Sequence, residues 1–149
     1  MTESNLNVPK TERCAFCDYL NGRRPFTILC RSEKIAILVT REQRGIGHVI
    51  VIPVRHVPTL LELDATERHA LIDAVAAVAS AIDNAFERPG IAVWQNNGTA
   101  AHQTIPHAHF HVAGTLPGGS TEFGEVPELS VEETDRIAAQ IREVSDNLC

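Results

Sequence analysis

The chain has 149 residues, long enough for one domain with a real hydrophobic core. Its 44% hydrophobic and 21% charged residues are the make-up of a soluble globular protein, and no apolar run reaches the length of a membrane span. A net charge of -6 argues against a broad nucleic-acid surface, which needs a basic patch, but leaves room for a small anion held by local donors.

Residues 1–12 are polar and without periodicity, so they read as a flexible N-terminal arm ahead of a single domain over 13–149. "MTESNLNVPK" has no apolar signal-peptide core, which predicts a cytoplasmic protein with no membrane and no nucleic-acid partner. "AFCDYLNG" is a short helical turn stopped at Asn21-Gly22. "FTILCRS" and "KIAILVT" follow as two strands rich in Ile, Leu and Val. "GIGHVIVIPVRH" places the near-continuous apolar run Val49–Ile52 between a glycine turn and Pro53, the pattern of a central strand.

The long helix is "DATERHALIDAVAAVASAIDNAFERPG". Asp64 and Glu67 form a capping-box pattern at its start, Pro89-Gly90 stops it, and Leu71, Val75, Val78, Ile82 and Phe86 make one apolar stripe. "GIAVWQNNG" is a strand ending in a turn, and the histidine-bearing strand comes next. "SVEETDRIAAQIREV" repeats the S-x-x-E cap and carries Ile137, Ile141 and Val144 on one face. The sum is an α+β fold with a mostly antiparallel sheet, one long helix and a C-terminal helix.

Two groups of residues carry chemistry. In "QTIPHAHFHVAG", His107, His109 and His111 alternate with Ala108, Phe110 and Val112; along an extended strand the histidines share one face and the apolar residues face the core. From Ile91 to Thr121 there is no Asp or Glu, while Asn96, Asn97, Gly98, Thr99, His102, Gln103 and Thr104 stand beside the histidines. Neutral donors and imidazoles without carboxylates suit an anion such as a phosphate better than a hard cation. The second group begins at "CAFC". Four cysteines in such a chain are read as thiols or metal ligands rather than disulfides. Cys14 and Cys17 could be a redox pair or buried thiols, or half of a tetrahedral zinc site completed by two further ligands such as His56 and His107. On spacing alone that ligand set is one choice among several.

"HAHFHVA" matches the signature H-φ-H-φ-H-φ-φ, with φ apolar. Together with "CAFC…NG", "GHVIVIPVRH" and "NNGTAAHQTIPHAHFHV", it makes the chain resemble the histidine-triad (HIT) superfamily, closest to its bacterial Hint-like branch with a C-x-x-C zinc motif. The resemblance implies about five antiparallel strands with helices against them and a homodimer. It also implies a small-molecule nucleotide as ligand, with hydrolysis or transfer at the α-phosphate of a nucleoside 5′-phosphate derivative, either phosphoramidate-like or a dinucleoside polyphosphate. His109 is then the nucleophile that forms a nucleotidyl-histidine, and His111 contacts the phosphoryl oxygens and assists the leaving group. Asn96, Gln103 and Thr104 fall on phosphate-contacting positions, Phe16 and Thr40 on further substrate-binding ones, and zinc on Cys14, Cys17, His56 and His107.

Three departures stand out. Thr40 occupies the place where many relatives hold the ribose with an Asp, and a hydroxyl does not match a charged two-oxygen acceptor. His102 stands where a glycine commonly precedes the Gln, and "VAGTLPGG" replaces the usual continuation after the triad. Thr40 keeps a rival function in view, a nucleotide-binding regulatory module without turnover. A catalytic metal cluster on H-x-H-x-H is disfavoured by the missing carboxylates.

Overall fold

A computed structural model of the chain describes residues 4–149. The elements in order are α1 (Ala15–Leu20), β1 (Thr27–Arg31), β2 (Ile35–Val39), β3 (Ile46–Pro53), α2 (Ala65–Ala85), β4 (Ile91–Gln95), β5 (Phe110–Gly114) and α3 (Val131–Val144). The strands form one antiparallel sheet in the order β1-β2-β3-β5-β4. β3 is the central strand, as its apolar run requires, and β1 and β4 are the edges.

Strand alternation sorts the sheet into two faces with different partners. Ile35, Ile37, Val39, Val49, Val51, Phe110 and Val112 face α2 and α3 and merge with Leu71, Val75, Val78, Ile82 and Ile141 into the main core. Ala36, Leu38, Ile50 and Ile52 face the other way, under Phe16 of α1. The functional residues belong to this second, thinner layer.

Both long helices start as their sequences dictate. Asp64 and Ser130 each accept from the backbone N–H three residues on, and Glu67 and Glu133 return the bond to the cap. α2 ends earlier than Pro89-Gly90 suggests, with Phe86 as its extended C-cap. Phe86 leaves the helix to lie on Gly47, where φ is +66° and a Cβ would come within 2.6 Å of the ring. On α3 the buried face is Thr134, Ala138 and Ile141, with Ile137 at its margin. Val144 is 42% exposed, so the third position of the expected stripe lies outside the core.

Two expectations need correction. The histidine segment is not strand throughout, because β5 starts only at Phe110. Before it, His107 N–H bonds to Ile105 O and Ala108 N–H to Val57 O, so pairing with β3 begins at Val51–Phe110. The four cysteines are also not alike, since Cys30 on β1 is disulfide-bonded to Cys149. That bond pins the end of the chain to the sheet, with Leu148 buried beside it. Cys14 and Cys17 are free thiols. Of the arm, Asn7 O accepts from Thr99 N–H at 2.8 Å, so this stretch is tied to the turn after β4, and residues 1–3 lie outside the described residues. No helix among the described residues is long and apolar enough to cross a membrane.

Candidate active site and metal centre

Five histidines lie in one connected array on the α1 side of the sheet, and each ring's hydrogen bonds decide which nitrogen carries its proton. His107 is fully buried, and its Nε2 donates to Pro53 O at 2.8 Å. A carbonyl only accepts, so Nε2 holds the hydrogen and Nδ1 is left as a lone pair. That Nδ1 lies 3.4 Å from Cys14 Sγ, 3.6 Å from Cys17 Sγ and 3.2 Å from His56 Nδ1, while His56 Nδ1 lies 3.4 Å from Cys17 Sγ. All four ligand atoms fall within 4.8 Å of one another. Tetrahedral zinc at ordinary bond lengths places S–N edges at about 3.5 Å and N–N edges at about 3.3 Å, so this Cys2His2 cluster has the dimensions of a metal site.

Local structure explains the convergence. Cys14 is the N-cap of α1 and accepts from Cys17 N–H, which brings the two thiols together. Burial and the neighbouring Cys14 push the Cys17 thiol up to about 12, so two adjacent thiolates need a cation to form. His56 follows Arg55, whose guanidinium forks onto the nearly buried Glu67 of the α2 capping box at 2.9 and 2.7 Å. This anchors the segment after β3 to the start of α2.

His109 is 5% exposed, and its Nδ1 donates to His107 O at 2.7 Å. Its Nε2 is therefore the unprotonated nitrogen. Phe16 packs edge-on against both His107 and His109, with centroids 5.7 and 5.1 Å away. At 1% exposure Phe16 backs the two histidine rings.

Past His109 the array continues through His111 to His48, whose role the motif "GHVIVIP" did not suggest. Arg44 N–H donates to His48 Nδ1 at 3.1 Å, so the His48 hydrogen sits on Nε2 and points at His111 Nδ1, 3.0 Å away. His111 must then carry its own hydrogen on Nε2. Gln43 fixes His48 further, its side chain bonding both the backbone N–H and the carbonyl of that residue. Alternation along β3 was the available signal: His48 shares a face with Ile50 and Ile52, and Ile50 pairs with His111.

Burial keeps these imidazoles neutral. Desolvation, helped by the Arg44 charge, lowers His48 to about 3, and desolvation with His109, His48 and Arg44 lowers His111 to about 2. Burial also lowers His109, and it takes His107 to about 4. The rings of His109 and His111 stand 5.0 Å apart, and Trp94 of β4 stacks on His111 at 4.7 Å.

The other expected ligand-binding residues fall into two sets. Asn96 and Thr104 have side chains without a protein partner among the described residues, and Thr104 is exposed. Gln103 is different: it is 4% exposed, its Oε1 accepts from Gly98 N–H, and its amide donates to Pro58 O and Ile105 O. Both donors are engaged, so in this structure Gln103 braces the loop between β4 and the histidines rather than facing a ligand. Thr40 is 8% exposed, and its hydroxyl accepts from Glu42 N–H. His102 is exposed in the left-handed region at φ +67°, a conformation that costs a non-glycine residue and accounts for glycine's suitability there.

Residues 21–117 match the HIT domain family. The chain belongs to it. A HIT-like protein of Methanocaldococcus jannaschii is 28% identical over 123 residues, covering 80% of this chain and 94% of that one. The Schizosaccharomyces pombe adenosine 5′-monophosphoramidase hnt1 is 30% identical over 111 residues, covering 74% and 78%. Among solved structures, a Hit-like protein of Bartonella henselae superposes with a TM-score of 0.81 at 25% identity over 91% of this chain and 99% of that one. A zinc-bound histidine-triad protein of Mycobacterium smegmatis superposes with a TM-score of 0.73 at 25% identity over 87% and 94%. The family thus includes nucleotide hydrolases and a zinc-bound member.

Proposed function

We propose that this HIT protein is a nucleotide hydrolase or transferase that works at the α-phosphate of a nucleoside 5′-phosphate derivative, through a nucleotidyl-histidine. The observation that carries the reading is the pair of opposed tautomers: His109 keeps a lone pair on Nε2, while the adjacent His111 keeps a hydrogen on Nε2. One is a nucleophile and the other a hydrogen-bond donor, and both are neutral at pH 7.

In the first step the His109 Nε2 lone pair attacks phosphorus as the bond to the leaving group breaks. The His111 Nε2–H donates a hydrogen bond to the oxygen or leaving atom on which charge develops, and a proton from solvent water goes to the leaving amine or phosphate oxygen. In the second step water attacks phosphorus, and the P–N bond to His109 breaks and returns the lone pair to Nε2. The proton released by the attacking water passes to solvent, while the His111 Nε2–H again hydrogen-bonds the phosphoryl oxygens. Asn96 and Thr104 are the neutral donors for the phosphoryl oxygens, and Thr40 replaces the acidic ribose ligand with a single hydroxyl. A phosphoramidate is the substrate class favoured by the monophosphoramidase relative.

Zinc on Cys14, Cys17, His56 and His107 is a structural part of this reading. When bound, it supplies charge that keeps both thiols ionised and ties α1 to the segment carrying the nucleophile. A homodimer is the second part: the edge strand β4 exposes Val93 at 48%, and α2 exposes Ile72 at 54%.

Incubation with adenosine 5′-phosphoramidate tests the reading. The wild type should release the amine and show a transient nucleotide adduct by mass spectrometry. His109→Ala should do neither while keeping its fold and metal. Near wild-type hydrolysis by His109→Ala would refute the assignment of the nucleophile.

A further inference from the structure

Trp94 is the chain's single tryptophan, and no part of the chemistry above uses it. It sits directly across the β4–β5 ladder from His111, on the same face of the sheet. Its indole lies parallel to the His111 imidazole, with 4.7 Å between centroids and 6° between planes. The same indole stands 5.1 Å from His48 at 45°.

Consider what holds His111 otherwise. The bond from His48 fixes one atom, Nδ1, but a single hydrogen bond leaves the ring free to rock about its outer torsion. His109 touches only an edge, at 73°. A ring that rocks swings Nε2 away from the reacting atoms, and misplacements of this order cost catalysis steeply. A parallel aromatic neighbour removes that motion, because tilting the imidazole breaks the offset stack. It also covers one face of the ring, which deepens the desolvation of His111.

We propose that Trp94 is the positioning residue of His111: the indole stack fixes the plane of the imidazole and, with His48, aims its Nε2–H at the leaving group. The catalytic consequence rests on the phosphoryl-transfer reading above, whereas the geometric claim concerns His111 alone and is measurable without substrate.

The experiment compares Trp94→Phe, Trp94→Leu and Trp94→Ala with the wild type, with light scattering and metal content confirming equal assembly. In nitrogen-15 NMR at pH 7, wild-type His111 should be a single Nε2–H tautomer with carbon-bound ring protons shifted upfield by the indole. Trp94→Phe should keep the single tautomer. Trp94→Leu, which fills space without stacking, should keep the tautomer that His48 sets but lose the single ring orientation, seen as exchange-broadened carbon-bound ring protons, and Trp94→Ala the same if it folds. With adenosine 5′-phosphoramidate, Trp94→Leu should lose about tenfold or more in kcat with KM within about twofold, while Trp94→Phe recovers most of the rate. An unchanged His111 ring orientation in Trp94→Leu would overturn the proposal, as would an unchanged kcat in a protein that turns over. If the wild type hydrolyses no phosphoramidate, the functional reading fails, and the NMR comparison still decides whether Trp94 positions His111.

Discussion

Two neutral histidines buried side by side make the fold sensitive to acid, and the size of the effect follows from the structure. In the unfolded chain His48 and His111 take up protons near the ordinary imidazole value of about 6.5. In the folded chain burial holds them at about 3 and about 2. A depressed histidine value means that the unfolded state binds the proton first, so stability is full above pH 6.5 and falls as pH drops below it. Between pH 7 and pH 5 each site costs about 2 kcal/mol, and the pair about 4 kcal/mol. Replacing His48 by Gln deletes one titrating group while keeping a polar side chain toward His111. Urea unfolding of wild type and His48→Gln at pH 7 and pH 5 checks the argument. Acid-labile metal ligands contribute equally to both proteins and cancel in the difference. The wild type should lose about 2 kcal/mol more than the variant over that interval. Equal losses would refute the claim that His48 is held neutral by burial.

Three other outcomes follow from the same geometry. Protein purified without chelator should carry one zinc per chain, and His107→Ala should lose both the metal and much of its stability. Less than about a tenth of an equivalent in the wild type would sink the zinc assignment. Cys149→Ser should lower the unfolding free energy under non-reducing conditions by up to about 5 kcal/mol, since the bond closes a separation of 119 residues; reductant should do the same to the wild type and nothing to the variant. Light scattering at micromolar concentration should report twice the 16.3 kDa chain mass, and replacing Val93 by Asp should shift it to one.

Much of the fold was legible because it is written in local patterns. Capping residues sit within three positions of one another, and apolar alternation names a strand's faces without reference to any other strand. What was not legible depends on contacts distant in sequence. Cys30 and Cys149 meet only because the tail after α3 folds back beside Leu29, which no local rule anticipates. His48 was invisible for the same kind of reason: its face was readable, but its partner depends on the β3–β5 register. The metal ligands were nameable as candidates, yet spacing left several sets open until four ligand atoms were seen to converge.

The triad segment also shows why an even strand was too simple a reading. His109 needs a carbonyl to hold its Nδ1 hydrogen, and the one it uses belongs to His107. His107 itself turns into the metal cluster while its ring donates back to Pro53. A regular ladder would have aligned the side chains but left their tautomers to chance. Breaking the ladder until Phe110 lets backbone carbonyls assign the hydrogens of His107 and His109, while the His48 side chain assigns that of His111. On the proposed reading, His107 then presents a lone pair to a metal, His109 a lone pair to phosphorus, and His111 a hydrogen bond to the leaving group. One residue type yields three chemistries because the second nitrogen of each ring is held by a different partner. In this chain the alternation brings the rings together, and the irregular backbone before β5 together with His48 makes them differ.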